Sequence, residues 1–265
     1  MQKKSKPFET ELLNMFAQHS PMPDKNMHVE STEYFDRYIG PGDAAFYYAL
    51  HLKKACSRID FMHLVKDEID LAQKRQRKAF ELRLFPIPEL DFSPELLTDL
   101  NFKPPRILDF FYSKADASIA YSQHINNKKV ESEQDFKLLL SLLEQIFGPP
   151  SETLSEYLNN GLKHELADSK NLVSVYISYL NKQPAAVGWV KLYNKIGFLF
   201  GGGTLEKFRQ KGLYKANLMA RMQFAHQHGA AFVVSESSPK SAIALNKLNF
   251  NHLGKSHSWV YRFDS

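Results

Sequence analysis

Residues 201–216 read Gly-Gly-Gly-Thr-Leu-Glu-Lys-Phe-Arg-Gln-Lys-Gly-Leu-Tyr-Lys-Ala, and the rest of the chain is read outward from them. Residues 196–204 have strand character, and residues 213–226 have the length of a helix, closed by His228-Gly229. A strand therefore passes through a short loop into a long helix. The first turn of such a helix has about four unbonded N–H groups and a partial positive charge, so it receives phosphate oxygens. Gly212 lets the main chain approach an anion, while Arg209, Lys211 and Lys215 add cations around it. Three consecutive glycines weaken a strand because they leave nothing to pack. Either a bulge that bares backbone groups to a ligand or a tight crossing of backbones accounts for them, and both put a gap in the sheet.

On the far side of the helix, residues 231–235 form a buried strand of the parallel type, completing a strand-helix-strand unit. On the near side, residues 172–180, 185–193 and 196–204 read as an antiparallel meander with turns at 181–183 and 194–195. Phe136, Leu139, Leu140, Leu143 and Ile146 make a helical stripe over 133–146, which Gly148-Pro149-Pro150 ends. Ser151 is placed to cap a further helix over 152–164.

The two halves of the chain end alike. Ser93-Pro94 leads through a short helix to Leu100-Asn101-Phe102 and an apolar strand over 106–112. Ser238-Pro239 leads likewise to Leu248-Asn249-Phe250 and an aromatic strand over 258–263. The shared helix, Asn turn and closing strand point to a duplicated domain, with a chance match of two helix-to-strand joints as the alternative. Within the first half, 47–55 and 66–78 read as helices and 78–86 as a strand, while Pro21-Met22-Pro23 interrupts any helix over 9–18. Residues 113–118 look like a linker, so the expected domains are 1–114 and 115–265.

The 265 residues, 43% apolar with 12 Gly and 13 Pro, suit one large or two ordinary globular domains and exclude collagen-like and disordered classes. A single cysteine, Cys56, excludes an internal disulfide. No signal-peptide core opens the chain and no run of about 18 apolar residues occurs, so a soluble, cytoplasmic protein without membrane contact is expected. The formal charge of +5 is too mild to demand nucleic acid, and the basic stretch 73–78, interleaved with Gln, reads first as a solvated helix face.

Arg209-Gln210-Lys211-Gly212-Leu213-Tyr214 resembles the Arg/Gln-x-x-Gly-x-Gly/Ala signature of the GNAT superfamily of N-acetyltransferases, and residues 238–250 are similar to that family's closing helix and Leu-Gly-Phe joint. The resemblance covers about 118–265 and implies an α/β fold of two tandem GNAT-like domains. Each would be a mixed, largely antiparallel sheet flanked by helices, the first a degenerate copy with no Arg-x-x-Gly loop before its helix and so no coenzyme site of that kind. It also implies acetyl-CoA as co-substrate, with its pyrophosphate held by Arg209, Gln210, Lys211, Gly212, Leu213, Tyr214 and Lys215. The pantetheine would run along Gly203, Thr204 and Leu205, with Ser238 and Ser241 nearby. Two positions depart from the pattern. Tyr214 stands where the signature ends in a small residue, and Leu245 stands where many members carry the tyrosine that protonates the departing thiolate.

The implied chemistry is direct attack of a neutral primary amine, on a small molecule or a protein, on the acetyl thioester. Glu236 at a strand end and Glu206 before the loop are the candidate bases, each also readable as an ordinary solvated residue. Tyr214, Ser238 and Ser241 offer hydroxyls for the acid, and a main-chain N–H near Leu205 would receive the thioester oxygen. His226 and His228, spaced i, i+2, point to different helix faces, and neither they, His252, His257 nor Cys56 compose a metal or nucleophile pattern. A catalytically silent CoA-binding or interaction module is the competing reading, nucleic-acid binding trails both, and a homodimer is left open.

Overall fold

The computed structural model describes residues 12, 28–40, 45, 48–84, 93–115, 124–150, 154–155, 157–167 and 172–263. All of the helix expected over 9–18 except residue 12, the Ser151 cap and residues 116–118 of the linker lie outside them. In chain order the elements are β1 (His28–Ser31), β2 (Phe35–Ile39), β3 (Tyr48–Leu52), α1 (Arg58–Lys74), β4 (Ala79–Leu84), a 3-10 turn (Pro94–Leu100), β5 (Lys103–Lys114) and β6 (Ile125–Lys129). There follow α2 (Glu133–Phe147), a π-helical turn (Tyr157–Leu162), α3 (Lys163–Ala167), β7 (Val173–Leu180), β8 (Gln183–Tyr193), β9 (Ile196–Thr204), α4 (Leu213–Gln227), β10 (Phe232–Ser237), α5 (Pro239–Lys247) and β11 (Asn251–Arg262). The chain divides into two compact units, Met1–Asp109 with Leu253–Ser265, and Phe110–His252. None of the helices among the described residues is long and apolar enough to cross a membrane.

In the first unit β1, β2 and β3 are antiparallel neighbours, α1 crosses over to β4 parallel to β3, and β11 pairs β4 antiparallel from His257↔Leu84 to Arg262↔Ala79. The helix expected over 47–55 is thus absent over the described residues 48–55. Every residue of β3 is buried, and a short strand covered on both faces shows a continuous apolar run with no period to read. The helix expected over 66–78 starts earlier, because the Ser57 hydroxyl accepts the Asp60 N–H at 3.1 Å and caps α1 there. It also ends earlier, at Lys74, where Gln76 takes a φ of 56°. Phe61, Val65 and Ala72 of α1 meet Phe80, Leu82, Phe102 and Trp259 in one core.

The second unit is built on the meander β7, β8, β9, with β6 on β7 and β10 parallel to β9. Ser132 and Asp135 close a capping box that starts α2. Leu218, Met219, Met222 and Ala225 of α4 pack with Val190, Leu199, Val233, Leu245 and Phe250, and burying each large side chain contributes about 1.5–3 kcal/mol. The repeated joint has one geometry in both units. Asn101 and Asn249 adopt φ of 65° and 60°, and the next residue, Phe102 or Phe250, donates its N–H at 3.1 Å to the carbonyl five residues back, Leu97 or Leu245. Asparagine tolerates this left-handed conformation better than most residues.

Candidate functional site

In the second unit, β9 and β10 pair from Ile196↔Phe232 only as far as Leu199↔Ser235, although β9 continues to Thr204 and β10 to Ser237. The two parallel strands therefore separate at Phe200 and Glu236. On the other side of β9, Val187 pairs Gly203 and Trp189 pairs Phe200, so Gly201 and Gly202 together oppose Gly188. This is a β-bulge, and the extra residue of a bulge is left out of the ladder. The glycines are required there. Gly201 has a φ of +57° and a Cβ on it would lie 1.8 Å from the Trp189 ring, while a Cβ on Gly203 would lie 2.5 Å from Ile146 and 2.7 Å from Phe147 at the end of α2.

The strand leaves the bulge through a single 3-10 turn, Glu206–Phe208, and enters α4 through Gln210 at φ 64° and Gly212 at φ +81°. Gly212 is the N-cap and gives no side-chain cap, so the first-turn N–H groups of α4 have no partner from the cap. They open on a cavity of about 330 Å³. Of the residues expected to hold the coenzyme, the structure gathers Thr204, Arg209, Gln210, Gly212, Leu213, Tyr214 and Lys215 around it. The Thr204 hydroxyl oxygen is buried without a hydrogen-bond partner, an orphan that a ligand group would satisfy. Gly203, Leu205, Lys211, Ser238 and Ser241 are not in the lining. Lys211 lies 5.5 Å from the Phe208 ring, and Ser238 is the N-cap of α5, accepting the Ser241 N–H at 3.5 Å.

The cavity also has residues that the sequence reading passed over, namely Phe208, Ala244, Lys247 and Leu248. Ala244, Lys247 and Leu248 fall at i, i+3 and i+4 across the end of α5, so the helical period within 238–250 carried that signal. Leu245 points the other way, fully buried in the core. Of the main-chain N–H groups near Leu205, that of Leu205 itself donates to the Ala185 carbonyl at 2.9 Å, and the extra residue of the neighbouring bulge is left out of the ladder.

Tyr214 is half-buried beside the cavity, and burial raises its pKa against a smaller opposing pull from Arg221, so it stays protonated at neutral pH. Glu206 is 90% exposed and, among the described residues, pairs with Arg209 at 3.5 Å, a hydrated pair worth little. Glu236 is half-buried on β10, one residue past the last pairing with β9. Among the described residues no group of three His, Cys, Asp or Glu is placed to hold a metal. In the first unit the corresponding helix, α1, opens differently, since Ser57 and Asp60 occupy its N-terminus. One of its first-turn donors, the Asp60 N–H, is already taken, and no glycine stands within residues 50–57 before it.

No protein-family model matches the chain, and no curated protein matches it. Solved structures do. A functionally unknown conserved protein from Staphylococcus epidermidis is similar at 12% identity and a TM-score of 0.74, over 93% of this chain and 98% of that one. A GCN5-related N-acetyltransferase from Kribbella flavida is similar at 10% identity and a TM-score of 0.68, over 98% of each chain. A tandem GNAT protein from the clavulanic acid biosynthesis pathway is similar at 10% identity and a TM-score of 0.58, over 96% of this chain and 88% of that one. At these identities the likeness is one of fold, and over nearly its whole length the chain has the fold of the GNAT N-acetyltransferases.

Proposed function

We propose that the second unit binds acetyl-CoA and transfers its acetyl group to a primary amine of a small molecule or protein. One observation carries this reading: an uncapped helix start after Gly212 opens on the same cavity as Arg209, Lys215 and Lys247, directly beyond the point where β9 leaves β10. An anion with a long thin arm fits both features at once, the phosphates on the helix start and the arm along the freed edge of β9. Bound there, acetyl-CoA supplies an activated acyl group as a thioester.

The residues divide the remaining work. The N–H groups of Leu213, Tyr214 and Lys215 hold phosphate oxygens, and the orphan Thr204 hydroxyl donates to the arm. The bulge presents an unpaired N–H to the acyl oxygen as that oxygen gains negative charge. Glu236, at the mouth of the split, accepts the proton of the incoming ammonium, while Glu206 lies out in solvent against Arg209. Tyr214 keeps its proton through the neutral range and donates it to the departing thiolate, the role that buried Leu245 does not fill. The first unit, with its helix start occupied, shapes the acceptor or serves structurally, and the chain works in the cytoplasm where acetyl-CoA is available.

A second reading, a silent CoA-binding module, is favoured by Leu245 lying in the core. Calorimetric titration with acetyl-CoA followed by thiol release over a panel of primary amines separates the two. Binding with thiol release that depends on an amine supports the transferase. Binding without release from any amine supports the silent module, and no binding refutes both.

A further inference from the structure

The coenzyme reading leaves one residue of α4 unused. Arg221 is 2% exposed, and the Tyr214 phenol is the single ionisable group acting on it, so burial lowers its pKa to about 10. Among the described residues no carboxylate faces it. Burying a charge without a counter-ion is costly, and a well-packed apolar side chain in such a place is often neutral or more stable. Stability alone does not explain an arginine here.

Its contacts do. Nη1 donates to the carbonyls of Phe200 at 3.3 Å and Trp189 at 3.5 Å, the residues that face each other where the register of β8 and β9 shifts. A Cβ on Gly188 would lie 2.7 Å from the guanidinium carbon, and a Cβ on Gly202 would lie 3.1 Å from Nη2. Glycines on both sides of the bulge thus make room for one cation wedged against two strands. Asn217, one turn earlier, anchors the helix beneath: its Nδ2 donates to the Tyr176 carbonyl at 3.1 Å and to the Ser178 hydroxyl at 3.0 Å, and that hydroxyl donates to Asn127 Oδ1 at 2.6 Å.

We propose that Arg221 is a positioning residue whose guanidinium braces the glycine bulge of β9, and so aims the unpaired N–H of that bulge at the acyl carbonyl of the bound thioester. Its charge lies behind the same strand and favours the negative charge that grows on the acyl oxygen. The inference rests on the acetyl-CoA reading above and adds to it a residue that touches neither coenzyme nor acceptor.

The test needs no knowledge of the acceptor. Isotope-edited infrared difference spectra of bound [1-13C]acetyl-CoA report how strongly the protein polarises the thioester carbonyl. Wild type is expected to move the stretch to lower wavenumber than in buffer. Arg221→Met is expected to bind CoA within about threefold of wild type, to melt no lower, and to return most of that shift, with Arg221→Lys in between. With any amine that wild type acetylates, kcat of Arg221→Met falls on the order of 100-fold while KM for acetyl-CoA stays within about threefold. A Met variant that keeps the full carbonyl shift overturns the proposal, as does one that folds but loses coenzyme affinity, since that makes Arg221 a structural residue. Should the Met variant not fold, Gly202→Ala, whose Cβ presses on Nη2, is expected to diminish the same shift, and an unchanged shift there overturns it equally. Wild type that binds no acetyl-CoA refutes the proposed function instead, before any variant is made.

Discussion

Gly212→Asp places a carboxylate at the start of α4, where the proposed coenzyme rests its phosphates. The site has room, because the nearest atom to a Cβ there is Ile125 Cδ1 at 3.7 Å. The φ of +81° costs a non-glycine residue about 1–2 kcal/mol, and replacing a glycine N-cap by Asp returns only about a few tenths of a kcal/mol. Net stability therefore falls by about 1–2 kcal/mol, a Tm change of roughly 2–8 °C. The effect on binding is larger. A carboxylate about 5 Å from a phosphate charge, at an effective dielectric between water and protein surface, costs about 1–3 kcal/mol, or about 5- to 150-fold in CoA affinity. Gly212→Asn has the same shape and caps the same donors without charge, so the Asp-to-Asn gap isolates the electrostatic part. Calorimetric titration of CoA at low and high salt measures it, and the gap should shrink as the Debye length falls from about 8 Å to about 3 Å at 1 M. If the Asp and Asn variants bind CoA alike at low salt, or both bind as wild type does, no phosphate sits at the start of α4.

Gly201→Ala, whose Cβ would lie 1.8 Å from the Trp189 ring at a φ of +57°, is expected to lower Tm by roughly 5–10 °C, from overpacking of about 1–3 kcal/mol plus backbone strain. Scanning calorimetry checks it, and an unchanged Tm contradicts the close approach of Gly201 to the Trp189 ring. Tyr214→Phe should leave Tm and CoA affinity near wild type while kcat falls about 100-fold or more. Because burial raises the phenol's pKa, the pH–rate profile of wild type should show no tyrosine limb near neutrality, and steady-state kinetics from pH 6 to 9 decide both points. Asp135, held at a pKa of about 2 against 3.8 by the Lys128 and Ser132 hydrogen bonds, adds stability that is present above pH 3.8 and lost as pH falls toward 2. Asp135→Asn should cost about 1 kcal/mol at neutral pH and lose that difference in acid, which urea unfolding at pH 7 and pH 2.5 measures.

The parts of the fold that follow from local chemistry were legible in the sequence. The meander and the helix over 133–146 show clear period, the long helix after Gly212 shows by its length and its closing Gly229, and the doubled Leu-Asn-Phe marks a left-handed asparagine at 101 and at 249. The three glycines announced a gap, and the register shows which two lie in the bulge. What was hidden depends on contacts between distant segments. β3 reads as a helix because a fully buried strand has no period, and α1 starts at Ser57 through a cap that lies upstream of the apolar stripe. The last thirteen residues joining the first unit leave no local mark. Arg221 was passed over because an arginine in mid-helix normally faces water. Gly188, opposite the bulge, is the signal that in retrospect marks its place.

A crystal structure grown with saturating CoA tests the site at atomic level. The pyrophosphate oxygens should lie within hydrogen-bond distance of the Leu213, Tyr214 and Lys215 N–H groups, with the pantetheine arm passing between β9 and β10 beside Thr204. Ordered coenzyme on any other surface, or an empty cavity at saturating ligand, would contradict the account.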